Sequence, residues 1–232
     1  MARRIELHGI YHSYVQGSVR QTVFEALSHT FAGAGSTAIL GRSGCGKSTL
    51  LNLISGLDRP QRGRIRVDDQ EITAYNEAQL ALYRRRYVGI VFQSFNLVPT
   101  LSVGDNLRLP LELNGLPAKE RERRVAEVLE RVGLRELIDR YPEELSGGEQ
   151  QRVAVARSVV HKPQLVLADE PTGSLDAENG TRAIELIRDT TVEGGHTLLM
   201  VTHSLAVAGY ADTVLVLDDN GVLDEFREGI AW

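Results

Sequence analysis

The string Gly41-Arg42-Ser43-Gly44-Cys45-Gly46-Lys47-Ser48-Thr49 constrains this chain more than any other stretch. It fits the spacing G-x-x-x-x-G-K-[ST], with an apolar segment ending at Leu40 before it and a helix-forming run after Gly46. Glycines allow the positive φ angles that let successive backbone N–H groups curl around phosphate oxygens. A helix N-terminus adds partial positive charge there. Lys47 is the ammonium that reaches the β- and γ-phosphates, and the Ser48 hydroxyl is the oxygen for Mg²⁺. The lysine is informative because the chain has 26 basic residues and only three lysines, at 47, 119 and 162. A compact ammonium on a flexible stem enters such a loop, whereas a planar guanidinium fits poorly. Residues 41–49 are therefore read as a nucleotide site. A bulky adduct on Cys45 is expected to block it.

The surroundings read as an α/β chain. Short strands are expected at residues 5–11, 37–40 and 65–67, with turns at Gly33-Ala34-Gly35 and Arg62-Gly63. A helix after Gly46 would carry Leu50, Leu51, Ile54 and Leu57 on one face. Apolar runs at 88–92, 165–168 and 197–201 read as buried strands, with a helix around 181–190 between the last two. Residues 99–141 read as helical. Pro117 suits a first turn, Val125, Val128, Leu129 and Val132 follow at i, i+3, i+4 and i+7, and Gly133 suits a cap. Alternating strands and helices predict a parallel sheet covered on both faces, with the helical stretch inserted into that core.

Composition narrows the function classes. At 232 residues and 42% apolar, the chain can bury a sizeable core in one domain. No apolar run approaches the ~18 residues of a spanning helix, and the charged first stretch does not read as a signal peptide. A cytoplasmic protein is expected. The net charge of −5 argues against a general nucleic-acid binder, so no nucleic-acid partner is expected. The single cysteine excludes an internal disulfide and a cysteine-based zinc cluster. Arg84-Arg85-Arg86 reads as a solvated face.

Two further strings carry chemistry. Leu165-Val166-Leu167-Ala168-Asp169-Glu170 is an apolar strand ending in two carboxylates. In phosphate-loop enzymes the Asp at such a position supports Mg²⁺, and the following Glu can polarise an attacking water. Leu145-Ser146-Gly147-Gly148-Glu149-Gln150-Gln151-Arg152 offers a hydroxyl, a flexible backbone and a helix start, which taken alone reads as an ordinary N-cap with glycines or as a second phosphate site. One chain does not need two γ-phosphate sites. Two copies placed head to tail do.

At these residues the sequence resembles the ATP-binding-cassette (ABC) ATPases, with Leu145 to Arg152 similar to their signature motif. The resemblance spans essentially the whole chain. It implies a phosphate-loop α/β fold with a RecA-like parallel-sheet core, an antiparallel β subdomain and an inserted helical subdomain. Residues 1–232 would form one nucleotide-binding domain, with the insertion at about 94–145 between core segments 1–93 and 146–232. Further elements match in order. Gln93 resembles the glutamine that contacts Mg²⁺, and Asp176, in Ser174-Leu175-Asp176, the loop that crosses the dimer interface. His203 resembles the histidine at the γ-phosphate. Tyr14, ahead of Tyr11, sits where the family stacks an aromatic on adenine.

The resemblance implies an ATPase in which two copies sandwich two ATP molecules. Each ATP would lie between residues 41–49 of one chain and Ser146, Gly147, Gly148, Glu149 and Asp176 of the other. Lys47, Glu170 and His203 would act in hydrolysis, and Ser48, Gln93 and Asp169 would hold Mg²⁺. The closing pair would drive a separate transmembrane permease through the region after Gln93, from the cytoplasmic face of the inner or plasma membrane. Gly56-Leu57-Asp58-Arg59-Pro60, the string from Val91 to Pro99, and Asp169-Glu170-Pro171-Thr172-Gly173-Ser174 are similar to the lipoprotein-release and macrolide-export group. The alternatives are a polar amino-acid importer ATPase, and an ABC ATPase acting on DNA or ribosomes.

Overall fold

The computed structural model describes residues 4–17, 19–172, 177–192, 195–218 and 221–226. Four strands, β1 (Ile5–Gln16), β2 (Val19–Phe31), β4 (Arg62–Val67) and β5 (Gln70–Glu71), form an antiparallel sheet in the order β2-β1-β4-β5. The second sheet contains β3 (Gly35–Leu40), β6 (Val88–Val91), β7 (Leu165–Asp169), β8 (Thr197–Thr202), β9 (Thr213–Leu217) and β10 (Leu223–Glu225). Its order is β10-β9-β3-β8-β7-β6, parallel throughout except for the antiparallel β10. The helices are α1 (Lys47–Ser55), α2 (Glu77–Tyr87), α3 (Val103–Leu113), α4 (Ala118–Arg131), α5 (Gly147–Val159), α6 (Ala177–Thr191) and α7 (Leu205–Ala208).

The central strands are apolar along their whole length because both faces are covered. Side chains alternate across a strand with period two. Ile39, Leu165, Leu167, Leu199 and Val201 therefore share one core with α1 and the antiparallel sheet. Ala38, Leu40, Val166, Ala168, Leu198 and Met200 meet Val155 of α5 and Ile184 and Ile187 of α6 on the other face. A third cluster joins Leu107 and Leu111 of α3, Val125 and Leu129 of α4, and Val153 and Ala156 of α5.

One buried amide organises the entry to α3. Asn106 is fully buried. Its Oδ1 accepts from the Val98 N–H at 2.9 Å. Its Nδ2 donates to the carbonyls of Val98, Leu101 and Ser102 at 3.0–3.1 Å. The chain that leads away from Gln93 is thereby tied to α3 without a strand or helix of its own.

Several expectations need correction. Leu57 is not on the buried face of α1, because the helix stops at Ser55 with Gly56 at φ 68° as its cap. Leu57 is left 48% exposed, and Leu53 is buried instead. The strand expected at 5–11 runs on to Gln16 and pairs with a 13-residue strand, β2, that shows no simple alternation. The pairing of β1 with β2 shifts register between Leu7 and Ser13, and each bulge resets which side chains face inward. The arginine triplet is not uniformly solvated. The Arg84 guanidinium donates to the Gly56 carbonyl, while Arg85 and Arg86 are exposed.

Gly89 lies where β6 passes closest to α5. A Cβ there would stand 2.1 Å from the Ser158 carbonyl oxygen and 3.0 Å from Pro163 Cγ. Overpacking of this kind costs about 1–3 kcal/mol, so Gly89→Ala should lower Tm by about 5 °C in a thermal melt. An unchanged Tm would contradict this account of the β6–α5 contact.

Candidate nucleotide site

The parallel strands deliver the polar groups at their carboxyl ends, where sheets of this kind bind ligands. β3 ends at Leu40 and runs into residues 41–46, which turn into α1. Gly44 and Gly46 have φ of 88° and 102°. Gly46 is the residue before the helix, and a Cβ on it would collide with Val23 Cγ1 at 2.5 Å. Glycine is thus required there for conformation and for space. The first helical turn contains no acidic residue to compete for its N–H groups.

Lys47 is 7% exposed, and its ammonium donates to the carbonyls of Gly41 and Arg42 at 2.7 and 2.8 Å. A cavity of about 490 Å³ opens in front of it. Ser43, Gly44, Gly46, Ser48 and Thr49 form one side of the cavity, and Gln93, Glu170 and His203 line another. Tyr14 lies at its edge with Gln21 and Val23. Tyr11 does not line the cavity and instead has the Arg62 guanidinium 5.6 Å over its ring. Cys45 is buried beneath the loop, where a Cβ on Gly41 would meet its Sγ at 2.6 Å.

The two carboxylates differ in environment. Burial pushes the Asp169 carboxyl up, and a hydrogen bond from Ser48 works in the opposite direction. Glu170 sits at φ 42°, unusual for a residue with a Cβ. Its N–H donates to the Val201 carbonyl at 3.0 Å, its Oε2 accepts from Thr202 Oγ1 at 3.2 Å, and its Oε1 is 2.9 Å from His203 Nδ1. His203 is 65% exposed toward the cavity mouth, so the pair has one anchored and one free member. Backbone strain of this sort tends to accumulate at functional positions.

Ser48, Gln93 and Asp169 offer a hydroxyl, an amide oxygen and one carboxylate. These hard oxygen donors suit Mg²⁺, which keeps several waters and takes substrate phosphates as ligands. Among the described residues there is no group of three or more His, Cys, Asp or Glu that would point to another metal.

Ser146 caps α5 and lies away from that cavity. The Glu149 carboxylate accepts from the Ser146 N–H at 2.8 Å and from its hydroxyl at 2.7 Å, a reciprocal capping box. None of Ser146, Gly147, Gly148 and Glu149 is among the residues lining the cavity. Asp176 lies outside the described residues. Beyond Gln93, Phe95 and Asn96 both take positive φ, and Arg157 of α5 donates to their carbonyls at 2.9 and 2.6 Å. Sequence reasoning missed Gln21, Thr202 and Arg157. Gln21 comes to the site only through its register opposite Tyr14 across the bulged β1–β2 pair, which the structure shows and no local sequence pattern signals.

Residues 24–173 match the family model described as ABC transporter. The ABC transporter ATP-binding protein YtrE of Bacillus subtilis is 42% identical over 223 residues, which cover 94% of this chain and 96% of that protein. The macrolide export ATP-binding/permease protein MacB of Brucella melitensis is 38% identical over 221 residues, 95% of this chain but 34% of MacB. Among solved structures, the ATP-binding cassette MJ0796, dimeric in a post-hydrolysis state with ADP and Pi, matches with a TM-score of 0.89 and 31% identity. That match covers 98% of this chain and 100% of the other.

The capping box gives a pH prediction. Hydrogen bonds from the Ser146 hydroxyl and N–H hold the Glu149 carboxyl below the usual range. A lowered folded-state pKa contributes stability above the unfolded value of about 4.3, and that contribution is lost as pH falls through the folded value. Glu149→Ala should therefore melt below the parent protein at pH 7, and the gap should close below about pH 4. A gap that stays constant from neutral to acid pH would contradict the assignment.

Proposed function

The chain belongs to the ABC transporter family as an ATP-binding, ATP-hydrolysing subunit, and we propose that two copies close on two ATP molecules to drive a separate membrane permease. The carrying observation is the exposed, capped start of α5 at Ser146, which lies outside its own chain's phosphate cavity. Such a helix start offers positive dipole charge, together with the Gly147 and Gly148 N–H groups that its capping box does not use, to a phosphate brought by another copy. The dimeric state described for MJ0796 supports this pairing.

In this reading Lys47 and the glycine loop hold the β- and γ-phosphates, and Tyr14 stacks on adenine. Ser48, Gln93 and Asp169 would hold Mg²⁺, which when bound neutralises phosphate charge. The Glu170 carboxylate takes a proton from the attacking water as its oxygen bonds to the γ-phosphorus and the bond to ADP breaks. His203, hydrogen-bonded to Glu170, contacts the γ-phosphate. The segment after Gln93, gripped by Arg157, carries closure to the helical insertion at about residues 94–145 and to the permease. No helix of the described residues is long and apolar enough to cross a membrane. The transporter reading places the chain beside that partner, on the cytoplasmic face. The export reading draws support from MacB, whose name joins an ATP-binding part to a permease.

Glu170→Gln should lower ATP hydrolysis by about 100-fold or more while the Kd for ATP stays essentially unchanged; substantial retained turnover would remove Glu170 from the base role. Tagged Glu170→Gln protein with MgATP, added to detergent-solubilised membranes, should recover a membrane permease, identified by mass spectrometry. Recovery of ribosomes or DNA-repair proteins without a membrane subunit would overturn the transporter reading.

A further inference from the structure

The groups behind Tyr14 tie the base end of the site to its phosphate end. Tyr14 is on β1, in the antiparallel sheet, yet its hydroxyl meets Thr49 of α1 and Asp58 of the turn that folds back along that helix. It donates to Asp58 Oδ2 at 3.2 Å and lies 3.4 Å from Thr49 Oγ1. Thr49 is in the first turn of α1, next to Lys47 and Ser48. Asp58 is just past the other end and is fixed there independently of Tyr14. Its N–H returns to the Asn52 carbonyl at 3.1 Å, and its Oδ1 accepts from the Arg59 N–H at 2.7 Å. His12 packs beside Tyr14. It is 2% exposed, stands edge-on to Tyr14 with ring centroids 4.8 Å apart, and has Nε2 3.4 Å from the same Asp58 oxygen. At 3.2 Å the phenol–carboxylate contact is a long hydrogen bond, and it sets direction more than strength.

We propose that Asp58 is a positioning residue that holds the Tyr14 ring beside the first turn of α1, and so at a set distance from the phosphate loop. This rests on the reading of Tyr14 as the adenine platform. Asp58 is not among the residues that line the cavity. Its effect is to hold the ring in place before ATP arrives, which removes an ordering cost from binding. Only a ligand with both a base and phosphates feels that constraint. Inorganic tripolyphosphate, which occupies the loop alone, does not.

The test measures Kd by calorimetry for ATP and for inorganic tripolyphosphate, in the parent protein and in Tyr14→Ala, Tyr14→Phe, Asp58→Ala and the Tyr14→Phe/Asp58→Ala double variant. Asp58→Ala and Tyr14→Phe should each weaken ATP binding by about fivefold. The double variant should be no weaker than Tyr14→Phe, which already removes the bond to Asp58. Tyr14→Ala should weaken ATP further, and tripolyphosphate should bind all variants alike. Equal losses for ATP and tripolyphosphate in Asp58→Ala would mean that Asp58 only supports α1, which overturns the proposal. Additive losses in the double variant would overturn it as well. A loss confined to Tyr14→Ala would remove the tether and leave the platform standing, whereas unchanged ATP binding in Tyr14→Ala would remove both.

Discussion

The turn between β3 and α1 is the constraint on which the rest of the structure depends. Gly46 holds φ at 102°, and its missing Cβ leaves room for Val23 and Phe24 of the antiparallel sheet. The two sheets and the phosphate loop therefore interlock at one residue. A side chain at that position would disturb the loop and the contact between the sheets together. Phe24 is itself fully buried and also packs under the backbone at Gly221, where a Cβ would come within 2.9 Å of its ring. The loop is thus set by packing from two directions and by its own backbone conformation. Such over-determination keeps left-handed conformations in place and preserves a site whose donors must be aimed before the ligand arrives.

Around that turn the charges are arranged in pairs with unequal freedom. Lys47 is buried against two backbone carbonyls, so neutral dipoles hold its ammonium in place at the cavity. Asp169 is half-buried and bonded to Ser48, while Glu170 is anchored by backbone and by Thr202 and shares a hydrogen bond with an exposed histidine. Three strand ends, those of β3, β7 and β8, supply these groups. The exceptions are Gln93 and the segment after it, which have no regular structure and are held by Asn106 and Arg157. The proposed transmission to a partner runs through that segment. It joins the phosphate cavity to the helical insertion and to α5, the helix that begins at Ser146.

The legible parts of the sequence were those where one physical rule acted alone. The buried parallel strands are apolar on both faces, so β7 and β8 stand out as compact runs. The phosphate loop has a spacing fixed by backbone geometry. The family assignment followed from motifs, and comparison with known proteins bears it out. The parts that escaped were those where two rules compete. β2 is long but bulged, and its buried residues Phe24, Leu27 and Phe31 do not alternate. α2 buries only Leu80 and Tyr83, so its periodicity is swamped by the arginines that follow. Leu57 fits the helical spacing of α1, but Gly56 ends the helix first. Contacts such as Tyr14 with Asp58 join residues 44 positions apart on different sheets and helices, and no local pattern encodes them.

The central claim is that a working site is assembled from two copies, with the phosphate loop of one facing Ser146 of the other. Light scattering on Glu170→Gln protein with and without MgATP tests it most directly. The account predicts a nucleotide-dependent species of twice the 25.6 kDa chain mass. It further predicts that adding Ser146→Arg returns the protein to a monomer that still binds ATP. A Ser146→Arg variant that dimerises with ATP as fully as its parent would contradict the account, because the start of α5 would then play no part in joining the copies.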